Sequence, residues 1–415
     1  LFISLYPALI LASGKPVNML NKMLTTSARG ATVRSFLMTG QFIICGCVLT
    51  SFFIVGGQFK YIQNFDLGFT KDNITSIEVP TDSISLTKLR YLKKSLSKEG
   101  FTQVSLTTQS GNLLTGESFS DVVKKNTAYG TTDLHVIPKE VDGDFIEVMR
   151  IPLVQGKSFK EFSWEQWSSL TLINEKFVRD AGWKNPIGQK IELPYGLGEL
   201  TVIGVMKDFH VSSLHNPMEA VMLRASDYSE MSYAALTSAA PPQTLLLAAA
   251  PGSLHSIKKV WANVFPDHDL HYEFLDDSFN KQYEAEKRTI LLFSYFSILA
   301  LTITGIGLYT ILSYQLSLRT KEIGIRKVMG ANTITLLKLL SKHTLIFVII
   351  GSGVGLMLSW NAANWWLQSF AYKIEITSLL LILPTLVILL FGSGVCLLKI
   401  LQASRTNPIE ALRAE

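Results

Sequence analysis

Asp208, His210 and His215 follow one another closely, and His268 and His271 lie further along the chain. These are the residue types that hold divalent metals, but a metal site needs three or four converging ligands and this spacing supplies no such set. Turn residues at the edge of a domain are the expectation instead. Gly156-Lys157-Ser158 has the form of the end of a phosphate-binding loop. The glycine that loop requires five residues earlier is absent, because position 151 is Ile151. Serine, histidine and aspartate are scattered without the GxSxG turn of a nucleophile elbow. Cys45, Cys47 and Cys396 all sit in apolar runs, which leaves no disulfide framework and no CxxC metal site. No catalytic, cofactor-binding or metal-ligating set is expected.

The elements that surround these residues are of two kinds. Of the 415 residues, 48% are hydrophobic and only 17% charged, with a net charge of +5. Disorder needs the opposite balance. Nothing in so modest a charge calls for nucleic acid. The apolar residues concentrate in stretches long enough for a bilayer, whose core takes ~20 residues of helix. These are Phe36 to Val55, Ile290 to Ser313, Leu345 to Trp360 (with apolar-rich Thr333 to Leu340 ahead of it) and Ser378 to Leu398. Leu1 to Ala12 fits the tail of a preceding span, so the chain is expected to be a piece of a longer protein.

Lys and Arg excess marks cytoplasmic loops. Gly14 to Ser35 carries Lys15, Lys22, Arg29 and Arg34 without an acid, and Tyr314 to Lys342 carries six basic residues against Glu322. Asn361 to Thr377 has only Lys373 and Glu375, with Trp360, Trp365, Trp366 and Tyr372 around it, as suits an outer turn. The expected fold is an α-helical transmembrane bundle of four complete spans plus a partial N-terminal one. A large α+β extracytoplasmic domain is inserted between the first and second complete spans. The expected divisions are 1–13 (end of a helix), 14–35 (cytoplasmic linker), 36–58 (span and stalk), 59–288 (outer domain) and 289–415 (three spans, a loop at 314–342 and a tail).

Within the outer segment, Asn73 to Val79, Phe101 to Thr107, Ser169 to Ile173, Thr201 to Met206 and Thr244 to Ala250 read as strands. Leu86 to Glu99 spaces Leu86, Leu89, Leu92 and Leu96 as a helix, and Glu175 to Ala181 forms another. Ser110-Gly111 and Leu113 to Phe119 mark a loop. Asp277 to Arg288 is expected to run as helix straight into the second span. In the membrane, Gln41 needs a hydrogen-bonding neighbour, and Gly351 and Gly355 form a GxxxG pair that permits close helix packing.

The loop after the second span reads Arg319-Thr320-Lys321-Glu322-Ile323-Gly324-Ile325-Arg326-Lys327-Val328-Met329-Gly330-Ala331. Its mixture of charge, apolar residues and glycine suits a short amphipathic helix at a membrane or against a partner; a basic anchor reads equally well. The loop resembles the Lys-Glu-Ile-Gly-Ile-Arg-Lys-x-x-Gly-Ala signature of FtsX/MacB-type ABC transporter permeases. Gln41-Phe42 and Asp66-Leu67-Gly68-Phe69 are similar to the family's opening. Ile173-Asn174-Glu175, Asn185-Pro186-Ile187-Gly188 and Gly204-Val205-Met206-Lys207-Asp208-Phe209-His210 resemble its MacB-like periplasmic core domain, and Asn407-Pro408-Ile409-Glu410-Ala411-Leu412-Arg413 resembles its end. An echo between Ala12 to Leu20 and Ala403 to Leu412 is similar to the tandem permeases of Bacteroidota-type bacteria.

The resemblance implies a permease of the bacterial inner (plasma) membrane that is not itself an enzyme and holds no cofactor. ATP is bound by a separate cytoplasmic ABC ATPase. Arg319, Lys321, Glu322, Ile323, Gly324, Ile325, Arg326, Lys327, Gly330 and Ala331 would form the coupling loop. The other implied partners are the preceding permease half or a second permease subunit, a periplasmic adaptor and outer-membrane channel, and the lipid bilayer. Motion passed outward would export or extract a drug, peptide or lipoprotein. The alternative is a signalling scaffold that activates a periplasmic hydrolase or senses antimicrobial peptides.

Overall fold

The computed structural model describes residues 28–80, 86–107, 121–127, 130–194, 198–225, 244–318 and 333–405. The chain divides into two compact units: Ile62–Ala285 with Ser369–Tyr372, and Leu1–Tyr61 with Glu286–Gln368 and Lys373–Glu415.

The first element, α1 (Ala28–Gln63), belongs mostly to the second of these units. In the outer unit the chain then forms β1 (Ile74–Glu78), α2 (Leu86–Lys98), β2 (Val104–Thr107), β3 (Asp121–Thr127), β4 (Gly130–Val141) and α3 (Phe145–Val148). It continues through β5 (Leu153–Gly156), α4 (Trp164–Trp167), β6 (Leu170–Asn174), α5 (Glu175–Ala181), β7 (Lys190–Glu192), β8 (Glu199–Met206) and β9 (Val221–Ala225). It ends with β10 (Thr244–Ala248), α6 (Leu254–Val264), β11 (Tyr272–Phe274) and α7 (Leu275–Gln282).

These strands form one 11-stranded sheet built in two parts. In the first, β11-β1-β10-β2 are antiparallel neighbours, with α2 joining β1 to β2 and α6 joining β10 to β11. This is a split βαβ arrangement. Leu89, Leu92 and Leu96 of α2 and Ile257, Val260, Trp261 and Val264 of α6 bury against Ile77, Leu245 and Leu247 of the sheet. The helical spacing of those leucines is therefore the spacing of a core-facing stripe. In the second part, β4, β3, β7, β8, β6 and β9 pair in turn, and β9 returns to pair β4, which closes the ring. Val123, Val136, Ile173, Ile191, Val202 and Met222 fill it, with Phe177 of α5 packed on them.

Among the described residues, the pairing of Thr107 with Val141 and a hydrogen bond from Asp142 N to Leu106 O at 3.0 Å join the two parts. There the Asp142 carboxylate accepts from Ser105 Oγ at 2.7 Å, from Leu106 N at 3.0 Å and from Lys93 Nζ at 2.8 Å. Lys93 also pairs with Asp144, which in turn pairs with Lys160 at 2.6 Å. Burial pushes the Asp142 carboxyl up despite Lys93. Burial would lower Lys93, yet Asp142 and Asp144 hold it above its ordinary range.

The other unit contains most of α1 together with α8 (Glu284–Leu318), α9 (Thr333–Leu367) and α10 (Ser378–Arg405). All four helices are long and apolar enough to cross a membrane. At 36 residues α1 is about 54 Å long, well beyond a bilayer's hydrocarbon core. It is also the most enclosed: 44% of its apolar window is buried, against 11% for α8. Phe42, Cys45 and Leu49 of α1 meet Leu308 and Leu312 of α8, Val348 of α9, and Ile388 and Cys396 of α10.

Two expectations need correction. The third apolar helix does not stop at Trp360 but continues to Leu367, and Thr333 to Leu340 does feed into it. The helix expected over Asp277 to Arg288 is interrupted at Tyr283, whose backbone (φ −109°, ψ 22°) ends α7 before α8 begins. The cause is the Tyr283 side chain, which is fully buried and accepts a hydrogen bond from Leu214 N at 2.8 Å. The Ser110-Gly111 loop lies outside the described residues.

Candidate functional site

The candidate site is a junction of chain segments within the outer unit. Three sequence motifs meet in the outer unit where the chain leaves α1. Asp66 accepts from Gly68 N at 3.0 Å and pairs with Lys207 Nζ at 3.1 Å. Those two bonds hold its carboxyl below the usual carboxylate range. Gly68 has φ +79°, and a Cβ there would stand 2.1 Å from the Asp208 carbonyl oxygen. Only glycine fits so close a crossing of two backbones. His210 N donates to Leu67 O at 2.9 Å, so the Asp66 and Asp208 segments run side by side.

Asp208 fastens this pair to β6 and α5. Its carboxylate accepts from Lys176 N at 2.7 Å and from Arg179 at 2.5 Å, while its own N–H donates to Glu175 at 3.2 Å. Asn174 caps α5: its Oδ1 accepts from Phe177 N at 3.0 Å and from Val221 N at 2.9 Å. Gly182, at φ 69°, ends the same helix. Asn185 to Gly188 forms the turn into β7, with Gly188 N donating to Val202 O at 2.8 Å.

Beyond Asp208, the segment to Met218 receives Ser369–Tyr372, the part of the outer unit that comes from between α9 and α10. Ala371 N donates to His215 O at 3.1 Å and Met218 N donates to the Tyr372 hydroxyl at 3.1 Å. The His215 ring stacks on Phe370 at 4.1 Å, and its Nδ1 lies 3.0 Å from Ser369 O. His210 packs edge-on against Phe65 and Tyr372. Burial drops its pKa to about 4, although Asp208 and Asp66 pull the other way. Thus His210 and His215 are packing and docking residues. Among the described residues no three His, Cys, Asp or Glu side chains are grouped to hold a metal ion.

Gly156-Lys157-Ser158 also has a structural task. Gly156 takes φ 82° at the end of β5, and Ser158 N donates to Glu161 at 3.2 Å to start the 3-10 turn Phe159–Glu161. Gln41 lies over Gly307 of α8, where a Cβ would meet its Oε1 at 2.5 Å. Gly351 and Gly355 both face α1: a Cβ on Gly351 would stand 2.5 Å from Phe42 Cβ, and one on Gly355 would stand 2.6 Å from Ile43 O. The coupling-loop residues Arg319, Lys321, Glu322, Ile323, Gly324, Ile325, Arg326, Lys327, Gly330 and Ala331 lie outside the described residues. Sequence reasoning left three features unread: Tyr283, the Lys93–Asp142–Asp144 cluster and the docking of Ser369–Tyr372. Asp142-Gly143-Asp144 was the one visible signal, a pair of acids in an apolar neighbourhood.

Four helices long and apolar enough to cross a membrane, together with a folded outer unit, point to a membrane protein with a periplasmic domain. Residues 36–254 match the family model of the MacB-like periplasmic core domain, and residues 294–408 match that of the FtsX-like permease C-terminal part. The chain belongs to this family of ABC transporter permeases. The macrolide export ATP-binding/permease protein MacB of Chromobacterium violaceum is 24% identical over 323 residues, which cover 73% of this chain and 48% of that protein. The pyoverdine export ATP-binding/permease protein PvdT of Pseudomonas aeruginosa is 26% identical over 242 residues, 56% of this chain and 35% of that protein. The chain thus spans half or less of the length of these curated relatives. Among solved structures, the periplasmic region of MacB from Actinobacillus actinomycetemcomitans aligns with a TM-score of 0.34 and 15% identity, covering 52% of this chain and 94% of that one.

Proposed function

We propose that this chain is the permease part of an inner-membrane ABC export complex that passes ATP-driven motion to its periplasmic domain. A separate cytoplasmic ATPase supplies the motion. Glu322 to Ala331 receives it, and α1 and α8 carry it outward. The observation that carries this reading is the fastening of the chain leaving α1. Asp66, Gly68 and Leu67 are tied by an ion pair, a glycine-only backbone crossing and a main-chain hydrogen bond to the segment after β8. These ties within the outer unit leave little free chain between the end of α1 and the sheet, which supports the reading that motion is passed along the chain. Export is favoured as the direction because the relatives are named for export of macrolides and of pyoverdine. Drugs, peptides and lipoproteins all remain compatible as cargo.

The test is to purify the chain from native membranes with its ATPase and to compare Glu322→Ala and Gly324→Ala variants. These variants should still bind the ATPase, while ATP hydrolysis no longer depends on the permease and export falls at least tenfold. Normal coupling in both would remove the loop's assigned part.

A further inference from the structure

Ser369–Tyr372 is seated on the outer unit by contacts that converge on two imidazoles. The backbone N–H groups of Ala371 and Tyr372 donate to His215 O at 3.1 Å and Leu214 O at 3.4 Å. Phe370 is buried and stacks on His215, which also faces Tyr283. The Tyr372 ring closes a cluster with Phe65 and His210, its centroid 4.9 Å from each. His210 is 3% exposed, and its Nε2 has no hydrogen-bond partner among the described residues. Tyr372 of the strap packs edge-on against the His210 ring.

A buried, unpartnered nitrogen in an aromatic cluster tolerates the neutral ring and resists the charged one. We propose that Ser369–Tyr372 is a proton-sensitive strap, seated while His210 is neutral and released when His210 takes a proton. Two carboxylates around the seat oppose this in part. Asp66, from the segment after α1, and Asp208, on the same segment as His210, both attract an imidazolium. Each is already engaged, Asp66 by Lys207 and Asp208 by Arg179 of α5. An imidazolium freed by strap release would turn toward them. The other titratable groups of the seat are His215, Tyr283 and Tyr372. His215 Nδ1 lies 3.0 Å from Ser369 O.

The sign follows from linkage. In the seated state His210 sits near 4, whereas an ordinary histidine sits at 6.5. The released state therefore binds the proton first. Seating is strongest above about 6.5 and weakens about tenfold per pH unit from there down to about 4.

The proposal is tested by amide hydrogen exchange on the full chain in lipid nanodiscs at about pH 7.5 and about pH 5.5, corrected for intrinsic exchange. Protection of the Ala371 and Tyr372 amides should fall about tenfold between the two, while the Leu246 amide within β10 should not change. His210→Phe keeps a third ring and should give a flat profile; His210→Gln is a second neutral replacement should the first misfold. Equal protection of the wild-type strap at both pH values overturns the proposal, and so does pH dependence that survives His210→Phe. The readout is exchange and not transport, so it stands or falls separately from the export reading.

Discussion

At Asp142 a single carboxylate accepts from Lys93, Ser105, Leu106 N and Asp144 N, and it does so where β2 and β4 join the two parts of the outer sheet. Replacing it with alanine strands the Leu106 N–H and removes the principal partner of Lys93. Asp142→Ala should therefore cost about 3 kcal/mol, read as a lower denaturant midpoint for the outer unit of the full chain in detergent. Unchanged stability would mean the cluster holds nothing together. The sequence displayed Asp142 and Asp144 but not this task, because Lys93 stands far away in the chain and only the β2–β4 pairing brings it near. Asp208 and His210 were visible as chemistry-bearing residues for the same reason they were misleading. Their types suit a metal, yet their partners are Lys176 N, Arg179 and aromatic rings.

Among the elements, α5 was readable to the residue because its ends carry their own instructions: Asn174 before it and Gly182 after it. The presence of four long apolar helices was readable from hydropathy, though the extent of the third was not. The strands β3 and β4 were not, since Lys124, Lys125, Thr131, Thr132 and Pro138 break any clean alternation and only ring closure explains their inward Val123, Leu134 and Val136. The break at Tyr283 was equally hidden, because a tyrosine there looks like part of one more helical turn until its hydroxyl finds Leu214 N. The α1–α9 contact yields a paired prediction. A Cβ on Gly355 meets backbone atoms of Ile43 and Cys47 at 2.6 and 2.9 Å, whereas one on Gly353 meets nothing within 4 Å. Gly355→Ala should lower the melting temperature of the detergent-solubilised chain through a cost of about 1–3 kcal/mol, and Gly353→Ala should leave it unchanged. Equal behaviour of the two would show that the helices do not rely on that approach.

For the whole molecule, the division into a membrane part and an outer part was legible from four uncharged runs and the distribution of Lys and Arg. The strap was not, because Ser369–Tyr372 reads as the aromatic fringe of a membrane turn and belongs instead to the outer unit. The chain thus passes between its two units after Tyr61, after Ala285 and on either side of the strap. On the membrane side, Ile374 N donates to Gln58 of α1 at 2.9 Å, so the chain is held just beyond the strap as well. If work done by an ATPase crosses the membrane through this chain, it has to appear at these crossings. The most direct measurement is hydrogen exchange of the full chain with its co-purified ATPase, with and without ATP and vanadate. Exchange at residues 62–69 and 369–372 should change at least twofold on trapping, and Glu322→Ala should abolish the change. An outer unit whose exchange is indifferent to nucleotide, in a complex that still hydrolyses ATP, would contradict the account.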